Sequence, residues 1–380
     1  MKQSFGRTRR FLADYTRGLS ADELKRLVER DAARAYSVLM RDQPATREKV
    51  DGPRRFLRTL KLLFLSVSAK LTPARRLLFA LGVGGALLGI LGPNFTWTEN
   101  GARFSLDGST FFFLVSVAAL LFLLVLELVD RVLVRDELQI ARQLQRDLLP
   151  KSDPLVPGWA FAHSSRTAND IGGDYYQFEP LADGQLAIVV ADASGHGMAA
   201  GLLMAIANAT LHVALEVDPE PRAVAERLHA AILRAHDRRS FLTLFYGLLD
   251  PATGVLRYVC AGHPSPLVRR SHGAIEEPSR GSFPLGLRAR LEPASGELRL
   301  GPGDTLLLFT DGLFEGIDRS GQAFGFDRLS EAVRAGGSAA TLHQRLLSKF
   351  ELHAGDEPLA DDLTLVVVER LSTPPLATEA

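Results

Sequence analysis

Two apolar stretches break up an otherwise mixed chain: residues 77–92 (LLFALGVGGALLGILG) and 111–129 (FFFLVSVAALLFLLVLELV), neither with a periodic polar face. A membrane-spanning helix needs about 20 apolar residues. The second stretch meets that length; the first does so only when Ala74 and the flanking arginines are counted. Residues 130–149 then run without glycine or proline until Pro150, which predicts one continuous helix leaving the second stretch. Along it Val134, Leu138, Ala141, Gln145 and Leu148 recur at steps of four and three, a seam suited to pairing with a second copy of the chain.

From Trp159 onward the period shortens. Residues 185–191 (QLAIVVA) predict a buried strand stopping at Asp192, followed by a glycine-containing turn and an apolar helix over 199–215. Residues 241–249 and 255–261 flank DPATG, a hairpin signal. Residues 305–310 run into Asp311-Gly312, and 363–369 start directly after Asp361-Asp362. Short strands separated by helical segments predict an α+β fold with mainly antiparallel sheets.

Charge changes the picture of the N-terminal part. Residues 1–76 hold nineteen Lys or Arg against eight Asp or Glu, while the rest hold twenty-five against thirty-six, although the totals of forty-four each cancel. The segment between the apolar stretches has a single basic residue, Arg103, whereas Arg75 and Arg76 precede the first stretch and Arg131 and Arg135 follow the second. That asymmetry predicts a helical hairpin in the inner membrane with both ends cytoplasmic. The basic head is then a segment facing the membrane surface rather than a nucleic-acid binder. Within it Leu24, Leu27, Val28 and Ala32 predict a short amphipathic helix after a Ser20 cap, with Glu23 at the capping-box position. One cysteine, Cys260, excludes an intrachain disulfide framework and a cysteine-rich zinc site. The expected organisation is a basic segment over 1–73, two spans over 74–129, a helical linker over 130–150, a catalytic domain over 151–372 and a tail over 373–380.

Four carboxylates stand at strand ends or in glycine turns: Asp174 in IGGDYYQF, Asp192 in VVADASGHG, Asp311 in LFTDGLFEG and Asp361 in LADDLTLVVV. Carboxylates brought together repel, and such clusters exist where hard cations neutralise them. Oxygen donors without Cys or paired His favour Mg²⁺ or Mn²⁺ over Zn²⁺. Two such ions acidify a shared water and clamp the oxygens of a phosphoryl group, so the chemistry implied is phosphate-ester hydrolysis. No GxxxxGK[ST] loop, GxSxG elbow or HExxH helix is present, which leaves P-loop kinases and two common hydrolase types unsupported.

GGDYY, DASGHG, AGHPSPLV, FTDGLFE and DDLT, in that order and after the QRDLLP run that ends the linker, closely resemble the bacterial branch of the PP2C-like protein phosphatases, the SpoIIE and RsbU type, over roughly residues 140–370. The resemblance implies a sandwich of two antiparallel sheets flanked by helices, with a two-metal site at one edge. It implies that Asp192 bridges both ions, that the backbone carbonyl of Ala193 helps bind one, that Asp174 sits beside that centre, and that Asp311 and Asp361 complete the second ion. Asp362 either joins them or orients its neighbour. Gly172, Gly173, Gly195 and Gly197 allow close backbone approach, and Glu315, four after Asp311, supports the site from behind. His196, four after Asp192, is a candidate acid for the leaving serine or threonine oxygen, with water as the other donor, and His263 is expected to pack a turn. Relatives of this type dephosphorylate anti-sigma-factor antagonists, which implies such a partner here. A non-hydrolysing scaffold that binds the phosphorylated partner and a nucleotide cyclase, suggested by the GGD triplet, are the competing readings.

Overall fold

The computed structural model describes residues 53–92, 94–99, 102–235, 240–279, 281–355 and 357–372. The amphipathic helix expected after Ser20 and the tail at 373–380 lie outside them. The chain divides into two compact units, with the boundary between Leu133 and Val134.

In the first unit α1 (Pro53–Lys70), which the sequence pattern does not announce, is followed by α2 (Pro73–Leu91), β1 (Asn94–Glu99), β2 (Ala102–Asp107) and the start of α3 (Gly108–Leu148). The short loop expected between the apolar stretches is an antiparallel hairpin with Trp97 opposite Phe104. Its alternating NFTWTE and ARFSLD flank Asn100-Gly101, the strongest short-range hairpin signal. α2 and α3 meet along Gly82, Gly85 and Gly89, all buried. A Cβ at Gly82 would lie 2.6 Å from the Leu120 side chain, and one at Gly85 3.1 Å from the Phe112 carbonyl. Close approach at small residues is how helices associate in lipid, and Ser116 Oγ donates to the Gly82 carbonyl at 2.6 Å. The single charge of the second stretch is answered within the unit, because Arg75 pairs with Glu127 at 3.0 Å and Asp130 at 2.6 Å. Leu77, Leu81, Leu87, Ile90, Phe111, Leu114, Val117 and Leu121 face outward.

Three described helices are long and apolar enough to cross a membrane: α2, α3 and α4 (Met198–Val217). The third belongs to the second unit, where Leu203, Met204, Ala207, Leu211 and Ala214 are buried in its core, so its apolarity has a soluble use.

The second unit is built from two five-stranded antiparallel sheets. One has the order β10 (Ala294–Arg299), β7 (Val255–Ala261), β6 (Leu242–Asp250), β5 (Leu186–Ala193) and β4 (Asp174–Pro180). The other has the order β3 (Trp159–Arg166), β12 (Leu363–Arg370), β11 (Thr305–Phe309), β8 (Leu267–Arg269) and β9 (Ile275–Glu276). Successive side chains on a strand point to opposite faces. Ile188 and Val190 therefore join Phe245, Leu306, Leu308, Val366 and Val368 between the sheets. Ala187, Val189 and Ala191 pack outward against α4 and α5 (Pro221–Ala235). On the far side Leu307, Phe309, Leu365 and Val367 pack against α7 (Gly325–Arg334) and α8 (Ala339–Ala354). Strands covered on both faces read as continuous apolar runs, as QLAIVVA and LTLVVV do. The four layers match the expected sandwich of two antiparallel sheets flanked by helices.

Away from the acidic cluster, Asp304 ties the turn before β11 to the end of β8. Its carboxylate accepts from Ser271 N at 2.8 Å and Gly301 N at 2.9 Å and pairs with Arg270 at 2.8 Å. Burial alone would raise this carboxyl, but Arg270 and the two N–H groups outweigh it and hold the pKa below the ordinary value. A depressed folded-state pKa contributes stability that is present above the unfolded value, near 3.9, and is lost as pH falls through the folded one. Asp304→Asn should therefore lower thermal stability at pH 7 by roughly 2–3 kcal/mol. The gap from wild type should narrow below about pH 4; a gap independent of pH would contradict this account.

Candidate active site

One end of the layer between the sheets turns from apolar to polar, and the two-residue period explains how. Asp174 precedes Tyr176 and Phe178; Asp192 follows Ile188 and Val190; Thr243 precedes Phe245; Thr310 follows Leu306 and Leu308; Thr364 precedes Val366 and Val368. All five therefore project on the face shared by the two sheets. Antiparallel pairing sets Asp174 opposite Asp192, and Asp192 opposite Thr243. Thr310 closes the gap between sheets: its N–H donates to the Thr364 carbonyl at 3.1 Å, it accepts from Thr364 N at 2.9 Å, and its hydroxyl donates to Asp174 Oδ2 at 2.8 Å.

The electrostatics are those of crowded like charges. Burial and then the neighbouring Asp192 push the Asp174 carboxyl well up; Asp174 is only 3% exposed. Burial, with the charges of Asp311, Asp361 and Asp362, pushes Asp192 up to about 7. Burial, Asp361 and Glu315 raise Asp311. Asp192 thus faces three further carboxylates and no cationic side chain among the groups that shift it, an arrangement whose chemistry suits a cation. Among the described residues no group of three or more His, Cys, Asp or Glu side chains stands close enough together to hold a metal ion as it is.

The turns carrying these groups are packed backbone to backbone. A Cβ at Gly312, next to Asp311 in α6 (Asp311–Glu315), would lie 2.0 Å from the Asp362 carbonyl. A Cβ at Gly173 would lie 2.7 Å from the Ala193 carbonyl and 3.3 Å from Asp192 Oδ1. Glycine is what keeps that space beside the Ala193 oxygen open. The two adjacent aspartates before β12 part company. Asp361 is exposed, whereas Asp362 is buried and accepts from Ala168 N at 2.7 Å and Gly173 N at 2.5 Å. Through these contacts Asp362 holds the loop before β4.

Beside the carboxylates lies a cleft of about 380 Å³, lined by Asp192, Thr243, His263, Asp311, Phe314, Glu315 and Phe326 among others. Glu315 stands where it reaches Asp311 electrostatically. His263 is buried, its ring Nδ1 2.9 Å from Thr243 Oγ1, and burial lowers its pKa to about 3, so it stays neutral and packs as expected. His196 is exposed on the turn before α4 and is not among the cleft-lining residues. Two residues emerge from the structure alone. Thr310 bridges the sheets, and the FTDG motif contains it without revealing its target. Gln145, predicted on the dimer seam, is instead buried against the Gly172 peptide, and Leu148 packs on the helix-covered core of its own unit. A polar group with two partners at hand is satisfied there rather than at an interface.

A four-layer sandwich with an oxygen-only carboxylate cluster at one end of its sheets defines a domain of the PP2C phosphatase class. The fold agrees with the SiaA-PP2C domain of Pseudomonas aeruginosa, at a TM-score of 0.56 and 22% identity over 63% of this chain and 98% of that one. The model of the family "Stage II sporulation protein E (SpoIIE)" matches residues 182–371, half of the chain, and the chain belongs to this family. It is 27% identical over 268 residues to Protein IcfG of Synechocystis sp., covering 62% of this chain and 42% of that protein. It is 25% identical over 238 residues to the phosphoserine phosphatase RsbP of Bacillus subtilis, covering 61% and 57%. The chain thus spans about half the length of these relatives.

Proposed function

We propose that this protein is a membrane-anchored, metal-dependent phosphatase that hydrolyses phosphoserine or phosphothreonine on a regulatory protein. The observation that carries the reading is that burial and the carboxylates of Asp311, Asp361 and Asp362, from two turns of the other sheet, push Asp192 up to about 7 in a chain similar to RsbP, which is named a phosphoserine phosphatase. Asp174, Asp192, the Ala193 carbonyl, Asp311 and Asp361 would hold two Mn²⁺ or Mg²⁺ ions. Such ions, when bound, acidify a water and neutralise phosphoryl oxygens. Thr310 fixes the Asp174 carboxylate, Asp362 holds the preceding loop, and Glu315 adds negative charge behind Asp311. His196 is the proposed proton donor to the leaving oxygen. The partner suggested by the resemblance is an anti-sigma-factor antagonist. In this proposal both ends of the spans lie in the cytoplasm, a reading supported by the Arg75, Arg76, Arg131 and Arg135 flanks. Dimerisation through the linker is confined in this proposal to the part before Gln145, where Val134 is exposed.

The full-length protein in detergent, given a phosphoserine protein and Mn²⁺, should release phosphate, and chelation should stop it. No release above the chelated control would end the proposal. His196→Gln should lower turnover of that protein by about 10²-fold while sparing p-nitrophenyl phosphate, whose leaving group needs no proton. Equal losses on both substrates would remove His196 from that role. The exposed Phe326 and half-buried Phe314 give the cleft an apolar wall that a substrate side chain could pack on. Phe326→Ala should raise KM for the phosphoprotein about tenfold, the scale of a buried aromatic contact, and leave p-nitrophenyl phosphate hydrolysis unaltered.

A further inference from the structure

The loop 168–173, which leads into Asp174, is held from three directions. Asp362 accepts from Ala168 N and Gly173 N. Ala193 N donates to the Gly173 carbonyl at 3.2 Å. The third hold comes from α3: Gln145 Nε2 donates to the Gly172 carbonyl at 2.6 Å while Gly172 N donates to Gln145 Oε1 at 3.0 Å. The side-chain amide thus pairs with the Gly172 main chain in both directions, as a neighbouring strand would. Gln145 is buried, and its amide also lies 3.3 Å from Met204 Sδ of α4. One turn back on the same helix, Arg142 faces Asp170 of the same loop across 3.9 Å.

The first two holds belong to turns that themselves carry the proposed metal donors, so they move with the site. The Gln145 hold is the one supplied from the linker. Glutamine suits this position because it offers a donor and an acceptor on one planar group. A glutamate keeps only the acceptor, and a methionine of similar length keeps neither.

We infer that Gln145 is a positioning residue that clamps the Gly172 peptide and so sets the placement of Gly173 and Asp174 in the site. The inference rests on the proposed phosphatase reading for its kinetic consequence and on the hydrogen bonds alone for its structural one.

The test uses the full-length protein in detergent and compares wild type with Gln145→Met, Gln145→Glu and the exposed control Gln143→Ala. Hydrogen exchange is followed in peptides covering 168–174 and, as an internal reference, 363–370. The expected result for Gln145→Met is exchange at least tenfold faster in 168–174 with the reference peptide unchanged, and a smaller acceleration for Gln145→Glu. In the same preparations the Mn²⁺ concentration for half-maximal activity should rise about tenfold in Gln145→Met, with kcat at saturating Mn²⁺ within threefold of wild type. Wild-type exchange in 168–174 for both variants overturns the inference, as does acceleration spread equally over the reference peptide. A lack of phosphatase activity in wild type would refute the functional reading and leave the exchange comparison to decide the clamp. If Gln145→Met does not fold, Gln145→Glu decides: unaltered loop exchange there, with the donor to Gly172 removed, overturns the clamp.

Discussion

Asp192→Asn is expected to reduce Mn²⁺-dependent dephosphorylation by roughly 10³-fold or more, the equivalent of about 4 kcal/mol of transition-state stabilisation. Asp192 sits at the meeting point of both sheets' turns. It pairs with Asp174 in register, and burial with the charges of Asp311, Asp361 and Asp362 pushes its carboxyl up to about 7. Carboxylates from two different turns of the second sheet, Asp311 and the Asp361–Asp362 pair, both reach it. The amide is isosteric and removes a negative charge from a crowded place, so the variant in the presence of chelator should unfold at the same temperature as wild type or a higher one. Added Mn²⁺ should raise the unfolding temperature of wild type and not of the variant. Activity within tenfold of wild type, or a variant less stable than wild type under chelation, would mean that Asp192 is an ordinary structural carboxylate.

Asp361→Ala and Asp362→Ala should behave oppositely although the residues are neighbours. Asp362 accepts two backbone N–H groups, from Ala168 and Gly173. Truncation strands both donors, at about 1–3 kcal/mol for each buried group. A loss of roughly 2–6 kcal/mol is expected in thermal or denaturant unfolding, together with a loss of activity because the loop before Asp174 is released. Asp361 is exposed, and its influence on Asp192 and Asp311 is through charge. Its truncation should leave unfolding in chelator near wild type and raise the Mn²⁺ requirement at least tenfold. Identical stability for the two variants would refute the division of roles.

Much of the sandwich was legible because its strands are covered on both faces. Burial on both sides demands unbroken apolar runs, and QLAIVVA, TLLLF and LTLVVV announce themselves as such. The hairpin around DPATG and the apolar helix after DASGHG were legible for equally local reasons, a turn signal and a glycine-initiated periodic segment. The strand predicted to stop at Asp192 in fact runs to Ala193, because its pairing with β6 continues to Leu242. α1 went unread because Arg54, Arg55, Arg58 and Lys61 interrupt the apolar positions of PRRFLRTLKLLFLSVSAK and no acidic residue stands in its first turn. The linker seam misled at its last turn for an instructive reason: a three-four spacing reports that one face of a helix is covered, not by what.

What the sequence by itself determined is chemistry in order along the chain: acidic residues at strand ends, glycines beside them, and two apolar stretches with basic flanks. These are properties of residue type and local period, and they need no partner to be stated. The tertiary structure decided which of those residues meet. Only the register of β4 on β5 sets Asp174 against Asp192, only the stacking of the two sheets brings Thr310 to Asp174, and only the packing of α3 turns Gln145 toward Gly172. Each depends on contacts between residues well separated along the chain, and such contacts are selected by whole-domain packing rather than by any local pattern.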